Sequence, residues 1–116
     1  PGAEFAINPA YAAPEQFSPA PAEAACDVYS LGAVLFELLT QRRPHEPQQE
    51  EEWEAMHRLA PIPDLRVWAP DAPHALRSLI RRMLAKEPLR RPDLAEVIQQ
   101  LCDFEIASFH DWAAVA

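Results

Sequence analysis

Glycine is almost missing: Gly2 and Gly32 are the only two in 116 residues. A backbone cradle for nucleotide phosphates draws on several closely spaced glycines, as in G-x-G-x-x-G, and none can be assembled here. Lysine is scarcer still, since Lys86 is the only one and sits at a helix end before Pro88. The two cysteines, Cys26 and Cys102, form no C-x-x-C pair, which excludes a disulfide framework and a zinc site of the usual spacing. Both read as buried free thiols in a reducing compartment. His45, His57, His74 and His110 show no HExxH arrangement, and no serine sits in a nucleophile elbow, so neither a metal centre nor a hydrolase triad is expected. No apolar run reaches membrane-span length and no signal-peptide pattern opens the chain. An opening Pro1 rather than Met leads us to expect a processed or truncated piece.

Basic charge is also short. Ten Lys+Arg against eighteen Asp+Glu give a net charge of −8, a field that repels phosphate backbones and anionic membrane surfaces. No nucleic-acid partner and no membrane contact are therefore expected. Arg77, Arg81 and Arg82, with Arg90 and Arg91, could suggest a phosphate patch. Against that charge they read better as a solvated helix face plus one structural arginine. The run Glu50 to Glu54 reads as a solvated face as well.

What is plentiful is proline, with 13 residues, in a chain that is 49% hydrophobic and 24% charged. Ordinary globular composition argues for order, and the prolines argue for short elements joined by stiff, extended connections. Residues 1–25 are Pro/Ala-rich loop with one helical turn at Pro14–Phe17, because proline suits a first helical position. From Asp27 to Thr40 the positions Val28, Leu31, Val34, Leu35, Leu38 and Leu39 recur at helical spacing, with Asp27 as N-cap. On periodicity alone, Val34 and Leu38 are plain core. Gln48 to Leu59 is a more polar helix with a narrow apolar face of Trp53, Met56, Leu59 and Ala60. Residues 60–73 form an extended connection. His74 to Lys86 is amphipathic through Leu76, Leu79, Ile80, Met83 and Leu84, and a last helix opens at Pro92. Residues 103–116 either extend that helix or fold back. No stretch alternates with period two, so the class is all-α.

Tyr11-Ala12-Ala13-Pro14-Glu15-Gln16 resembles the Ala-Pro-Glu end of a protein-kinase activation segment. The order of three further features makes the likeness specific. Asp27-Val28-Tyr29-Ser30-Leu31-Gly32 with Leu35 to Thr40 resembles the αF helix. The polar helix at 48–59 stands where αG belongs. Leu79 to Leu84, Lys86-Glu87-Pro88 and Arg91-Pro92 resemble αH and its junction with αI. The likeness spans residues 5–101 and points to the bacterial branch of the serine/threonine kinases. It implies an all-α partial C-lobe bundle of αEF, αF, αG, αH and αI with Pro-rich connections. Residues 1–25 would be the end of the activation segment, 26–102 the helical lower lobe and 103–116 an extension.

The resemblance also assigns roles. Glu15 would form a buried ion pair with Arg91. Asp27 would anchor the catalytic loop, and Val34 and Leu38 would support the apolar column beneath the adenine. Phe5, Asn8, Pro9 and Ala12 would lie in the substrate-contacting loop. Ile7 and Asn8 replace the usual Gly-Thr of that loop, which raises the alternative of a pseudokinase or scaffold. Gln41 and His45 stand where a glycine and an aromatic are common, at loop positions to which little attaches. H-R-D, D-F-G and V-A-I-K are all absent, so catalytic, cofactor and metal residues are expected to be none. ATP and Mg would belong to the parent, a cytoplasmic kinase of protein serine or threonine. This chain's partners would be the remainder of the kinase domain, and substrates or regulators at the activation-segment loop and αG. An unrelated small helical interaction domain would instead leave Glu15 and Arg91 far apart.

Overall fold

The computed structural model describes residues 8–17 and 23–115, with side-chain surroundings through Glu105. Phe5 and Ile7, which the resemblance places in the substrate-contacting loop, lie outside the described residues. Those described are helical and loop only, without a strand: a 3-10 turn at Pro14–Phe17, then α1 (Ala24–Thr40), α2 (Trp53–Leu59), α3 (Leu65–Trp68), α4 (His74–Met83) and α5 (Leu94–Val115). Further 3-10 turns at Glu50–Glu52 and Pro88–Arg90 lead into α2 and follow α4.

Helix α1 is the axis. One side of it, Cys26, Tyr29, Ala33 and Phe36, packs with Ala13, Leu65, Ala69, Ile80 and Leu84. An adjoining side presents Val28 to Leu79 and Met83 of α4 and Val97 of α5. Burial on two sides is what a helix apolar around most of its circumference requires. Close approach depends on Gly32, where an added Cβ would stand 2.8 Å from the Met83 Cβ and 3.3 Å from a Leu84 carbon.

Several boundaries depart from the periodicity reading. Helix α1 begins at Ala24, three residues before Asp27, with Glu23 at the N-cap position. Ala24 and Ala25, strong helix formers, extend it backward. Asp27 is thus an exposed first-turn residue, where its charge meets the positive end of the helix dipole, and not a cap. The connection 60–73 is not wholly extended. Asp64 Oδ1 accepts the Arg66 N–H at 2.9 Å and starts α3, whose Leu65 plugs into the core. Helix α5 runs past residue 103 without a break.

Other departures concern faces. Val34 and Leu38 are not core: they are 39% and 71% exposed. They lie with Asp27 and Gln41 on the side of α1 that turns away from α4 and α5, at spacings of three, four and seven residues. On α2 the inward pair is Trp53 and His57, while Leu59 is 76% exposed. Cys102 is exposed, so only Cys26 is a buried thiol. No described helix is long and apolar enough to cross a membrane.

The Gly32 contact is testable. Gly32→Ala forces α4 outward or strains its rotamers, and is expected to cost about 1–3 kcal/mol in denaturant unfolding with little change in slope. An unchanged midpoint would show that α1 and α4 do not pack this closely.

Candidate functional site

The structure brings Glu15 and Arg91 together from opposite ends of the chain. Arg91 Nη1 donates to Glu15 Oε2 at 2.6 Å and Nη2 donates to Oε1 at 2.9 Å, a bidentate pair. The remaining donors are used as well: Nη1 to the Ala25 carbonyl at 2.9 Å, Nε to Ala85 at 2.8 Å and Nη2 to Lys86 at 3.2 Å. All five guanidinium N–H groups are therefore satisfied, and the Arg91 side chain has no exposed surface while that of Glu15 keeps 26%. Cys26 donates its thiol hydrogen to Glu15 Oε2 at 3.2 Å. Burial opposes ionisation of Glu15, but the hydrogen bonds from Arg91, its own backbone and Cys26 outweigh it and hold the carboxyl below the usual range. Burial and the Glu15 charge raise the Cys26 pKa, which keeps the thiol a donor.

This clamp adjoins a second polar centre. The Arg91 guanidinium lies 4.9 Å over the Tyr29 ring, and the Tyr29 hydroxyl meets His57 Nδ1 at 2.8 Å. His57 Nε2 meets the Pro9 carbonyl at 2.7 Å. A carbonyl only accepts, so Nε2 carries the proton and Nδ1 accepts from Tyr29. The His57 ring stacks between Phe17 and Trp53, and His45 meets its edge at 5.1 Å between centroids. His45 Nε2 in turn accepts from Lys86 Nζ at 3.2 Å. One buried imidazole thus joins the loop at Pro9, the 3-10 turn, α1, α2 and the α1–α2 connection. Burial lowers the pKa of both histidines, that of His45 to about 3. Burial and the Arg91 charge lower Lys86 to about 8.

Of the other sequence-assigned residues that the structure describes, Pro9 alone takes part in this joint. Asn8 is exposed, and its Oδ1 accepts the Ala10 N–H at 3.0 Å. Pro9 gives its carbonyl to His57. Ala12 is 2% exposed, so its side chain packs inward and is not offered to a substrate, a correction to its assignment. The small Ala12 and Ala13 are what allow the segment to lie flat on the core. Beside Val34 and Leu38, Tyr11 donates its hydroxyl to Glu37, and these four residues line an open depression with Gln41. Asp27 makes no side-chain hydrogen bond among the described residues.

His45, His57 and Gln41 carried no assigned role in the sequence, although Gln41 and His45 stand where a glycine and an aromatic are common. A histidine does not count toward an apolar stripe, yet His57 is fully buried at one helical turn from Trp53. His45 fills a buried aromatic position. Gln41 takes the left-handed conformation, φ 61°, to end α1, with its N–H donating to the Glu37 carbonyl. A glycine does this without Cβ strain.

A family model described as protein kinase domain matches residues 2–102. The chain is 36% identical over 86 residues to the serine/threonine-protein kinase PrkC of Bacillus subtilis, covering 74% of this chain and 13% of that kinase. It is 38% identical over 99 residues to the dual specificity protein kinase shkC of Dictyostelium discoideum, covering 81% and 18%. To serine/threonine-protein kinase A of a Synechocystis strain it is 33% identical over 97 residues, again covering 81% and 18%. The chain therefore spans less than a fifth of the length of these kinases.

The histidine joint sets an acid limit on stability. His45 titrates near 6.5 when unfolded and near 3 when folded. Between those values only the unfolded chain binds the proton, so stability is full above pH 6.5 and falls on acidification. From pH 7 to pH 5 His45 alone accounts for about 2 kcal/mol, and His57 acts in the same direction. Urea midpoints across this range should flatten in His45→Gln, which keeps an acceptor for Lys86 but does not titrate. An identical slope in variant and wild type would contradict the assignment.

Proposed function

This chain belongs to the protein kinase domain family, and from that membership we propose that it forms the lower C-lobe of a kinase that transfers phosphate from Mg-ATP to serine or threonine of proteins. The observation that carries this reading is the bidentate Glu15–Arg91 clamp, which ties the Ala-Pro-Glu segment to the turn after α4. In this reading α1, α2, α4 and α5 are αF, αG, αH and αI. The exposed α1 face of Asp27, Val34 and Leu38 receives the catalytic loop and the apolar column of the parent. The chain's own task is mechanical: it holds the loop at Asn8 and Pro9 in place for a substrate and offers that loop and α2 to substrates or regulators. It acts in the cytoplasm, in keeping with the free thiols of Cys26 and Cys102.

A second reading, a scaffold that binds partners without chemistry, is favoured by Asn8. The family's threonine at this position bonds to the catalytic Asp and Lys. Here Asn8 Oδ1 is already committed to the Ala10 N–H in its own turn.

Two measurements test these readings, and the second decides between them. The isolated chain, lacking the glycine-rich loop and the nucleotide- and metal-binding motifs of a kinase, is expected to show no saturable micromolar Mg-ATP binding by calorimetry. Saturable micromolar binding would overturn the assignment. The full-length protein carrying this segment is expected to phosphorylate a protein serine or threonine, and Leu38→Asp to reduce that rate by about tenfold or more through the lost support. A full-length protein that folds, binds partners and transfers no phosphate would establish the scaffold instead.

A further inference from the structure

The arginine cluster that sequence charge reads as a solvated face divides into three environments. Arg82 is paired with Glu96, at 2.8 and 3.3 Å. Arg91 is the clamp. Arg77 and Arg81 instead face a small cavity of about 90 Å³, together with Arg66, Asp64, His74 and Ser78. His74, Arg77, Ser78 and Arg81 follow one another at three- and four-residue spacing, so a single face of α4 supplies four lining groups. That face begins at the helix N-terminus, where the dipole favours an anion. The residues Asp64 and Arg66 come from the start of α3.

Two features separate this cavity from an ordinary basic surface. Arg77 is half-buried at the cavity wall, and its Nε, sealed from solvent, has no hydrogen-bond acceptor among the described residues. The charge is also unbalanced, with three guanidiniums against one carboxylate. Asp64 is already occupied by Arg66, whose Nε and Nη2 donate to it at 3.0–3.3 Å, and by its own turn. Arg77 and Arg81 are left to face the space, beside a serine hydroxyl that can donate. The residual charge suits a dianion.

Size narrows the ligand further. The cavity holds about three waters' worth of liquid, against roughly 300–1,000 Å³ for sites that enclose drug-sized molecules. A base and ribose do not fit, whereas a tetrahedral phosphate group does. Guanidinium forks match phosphate oxygens in pairs, and a monoester presents three of them with close to two negative charges at neutral pH. We propose that the pocket between α3 and the first two turns of α4 binds a phosphate dianion, either the monoester of a phosphoserine or phosphothreonine side chain or free phosphate. Duplex nucleic acid is disfavoured, because its singly charged diesters would also have to approach a chain of net charge −8.

The test uses the 116-residue chain in low-salt buffer, titrated separately with inorganic phosphate, a phosphoseryl peptide, the same peptide unphosphorylated and duplex DNA. Binding is read by calorimetry and by amide shifts of residues 74–81. Saturable binding of phosphate or phosphopeptide, with no response to the unmodified peptide, is expected, and the tighter of the two identifies the source. Arg81→Gln, an exposed change that leaves folding intact, and Arg77→Gln are each expected to weaken it about tenfold or more. Asp64→Asn keeps the cap on α3 but removes the competing carboxylate, and is expected to tighten binding. Arg90→Ala is expected to leave it unchanged. Three results would each overturn the proposal: no saturation into the ~10 mM range, equal binding by Arg77→Gln and Arg81→Gln, or DNA binding tighter than either phosphate ligand. None of these arms uses ATP, so a negative result leaves the kinase reading untouched.

Discussion

The guanidinium of Arg91 is the point on which this fold turns. It is wholly buried, and a buried cation without partners costs several kcal/mol. The chain must therefore bring five acceptors to one place. Two are Glu15 oxygens, and the others are the carbonyls of Ala25, Ala85 and Lys86. Those carbonyls belong to the first turn of α1 and to the bend after α4. Meeting them fixes where α1 starts, where α4 ends and where the Ala-Pro-Glu segment lies. A methionine or leucine in place of Arg91 could fill the volume, but it would not specify these three approaches. Net stabilisation over such a replacement is small by ordinary accounts of buried pairs. The value of the pair in this chain lies in specifying geometry.

The histidine joint extends the same logic toward the surface. Tyr29 touches the clamp with its ring and His57 with its hydroxyl, and His57 passes the restraint to the Pro9 carbonyl. Through two side chains, the interior of the lobe thereby holds the backbone of the loop that carries Asn8 and Pro9. Neutral imidazole is needed for this, because only it accepts at Nδ1 while donating at Nε2. Burial among Phe17, Trp53 and His45 supplies that condition by disfavouring the charged form. Stability, loop position and protonation state are thus one coupled property here. The open side of α1, where Val34 and Leu38 are exposed, stands apart from this network.

Sequence periodicity was a good guide wherever apolar residues alone decide burial. The stripe of α4 lies where spacing puts it, and Leu79, Ile80, Met83 and Leu84 are all buried. On α1 only Val28 of the six spaced residues is buried, and the core side is instead Cys26, Tyr29, Ala33 and Phe36. Spacing misjudged Val34 and Leu38 because a helix apolar all round does not say which side its neighbours take. It missed His57 because a polar residue buried by satisfied hydrogen bonds carries no hydropathy signal. The end of α1 at Thr40 was legible, although glutamine rather than glycine takes the left-handed position that follows it. Helix α3 is only four residues long, and its one local sign, Asp64 before Leu65, is easily lost among prolines. The Glu15–Arg91 pairing was legible only through family resemblance, for nothing in either local sequence points to the other. Net charge alone reads Arg77 and Arg81 as a solvated face, and their surroundings are visible only in three dimensions.

The clamp can be tested directly by a double-mutant cycle on Glu15→Gln and Arg91→Met, with stability measured by urea unfolding at pH 7 and Arg90→Met as a control. Removing one charge strands the other, at about 3–5 kcal/mol for a fully buried partner. Here Glu15→Gln should fall at or below the lower end, because Arg91 keeps its three carbonyls. The double variant is then expected to be far more stable than the sum of the single losses implies, with a coupling energy above about 1 kcal/mol, while Arg90→Met is silent. Additive losses, agreeing within about 0.5 kcal/mol, would mean that the two side chains do not act as one unit. This lobe would then not be held together by the Glu15–Arg91 clamp.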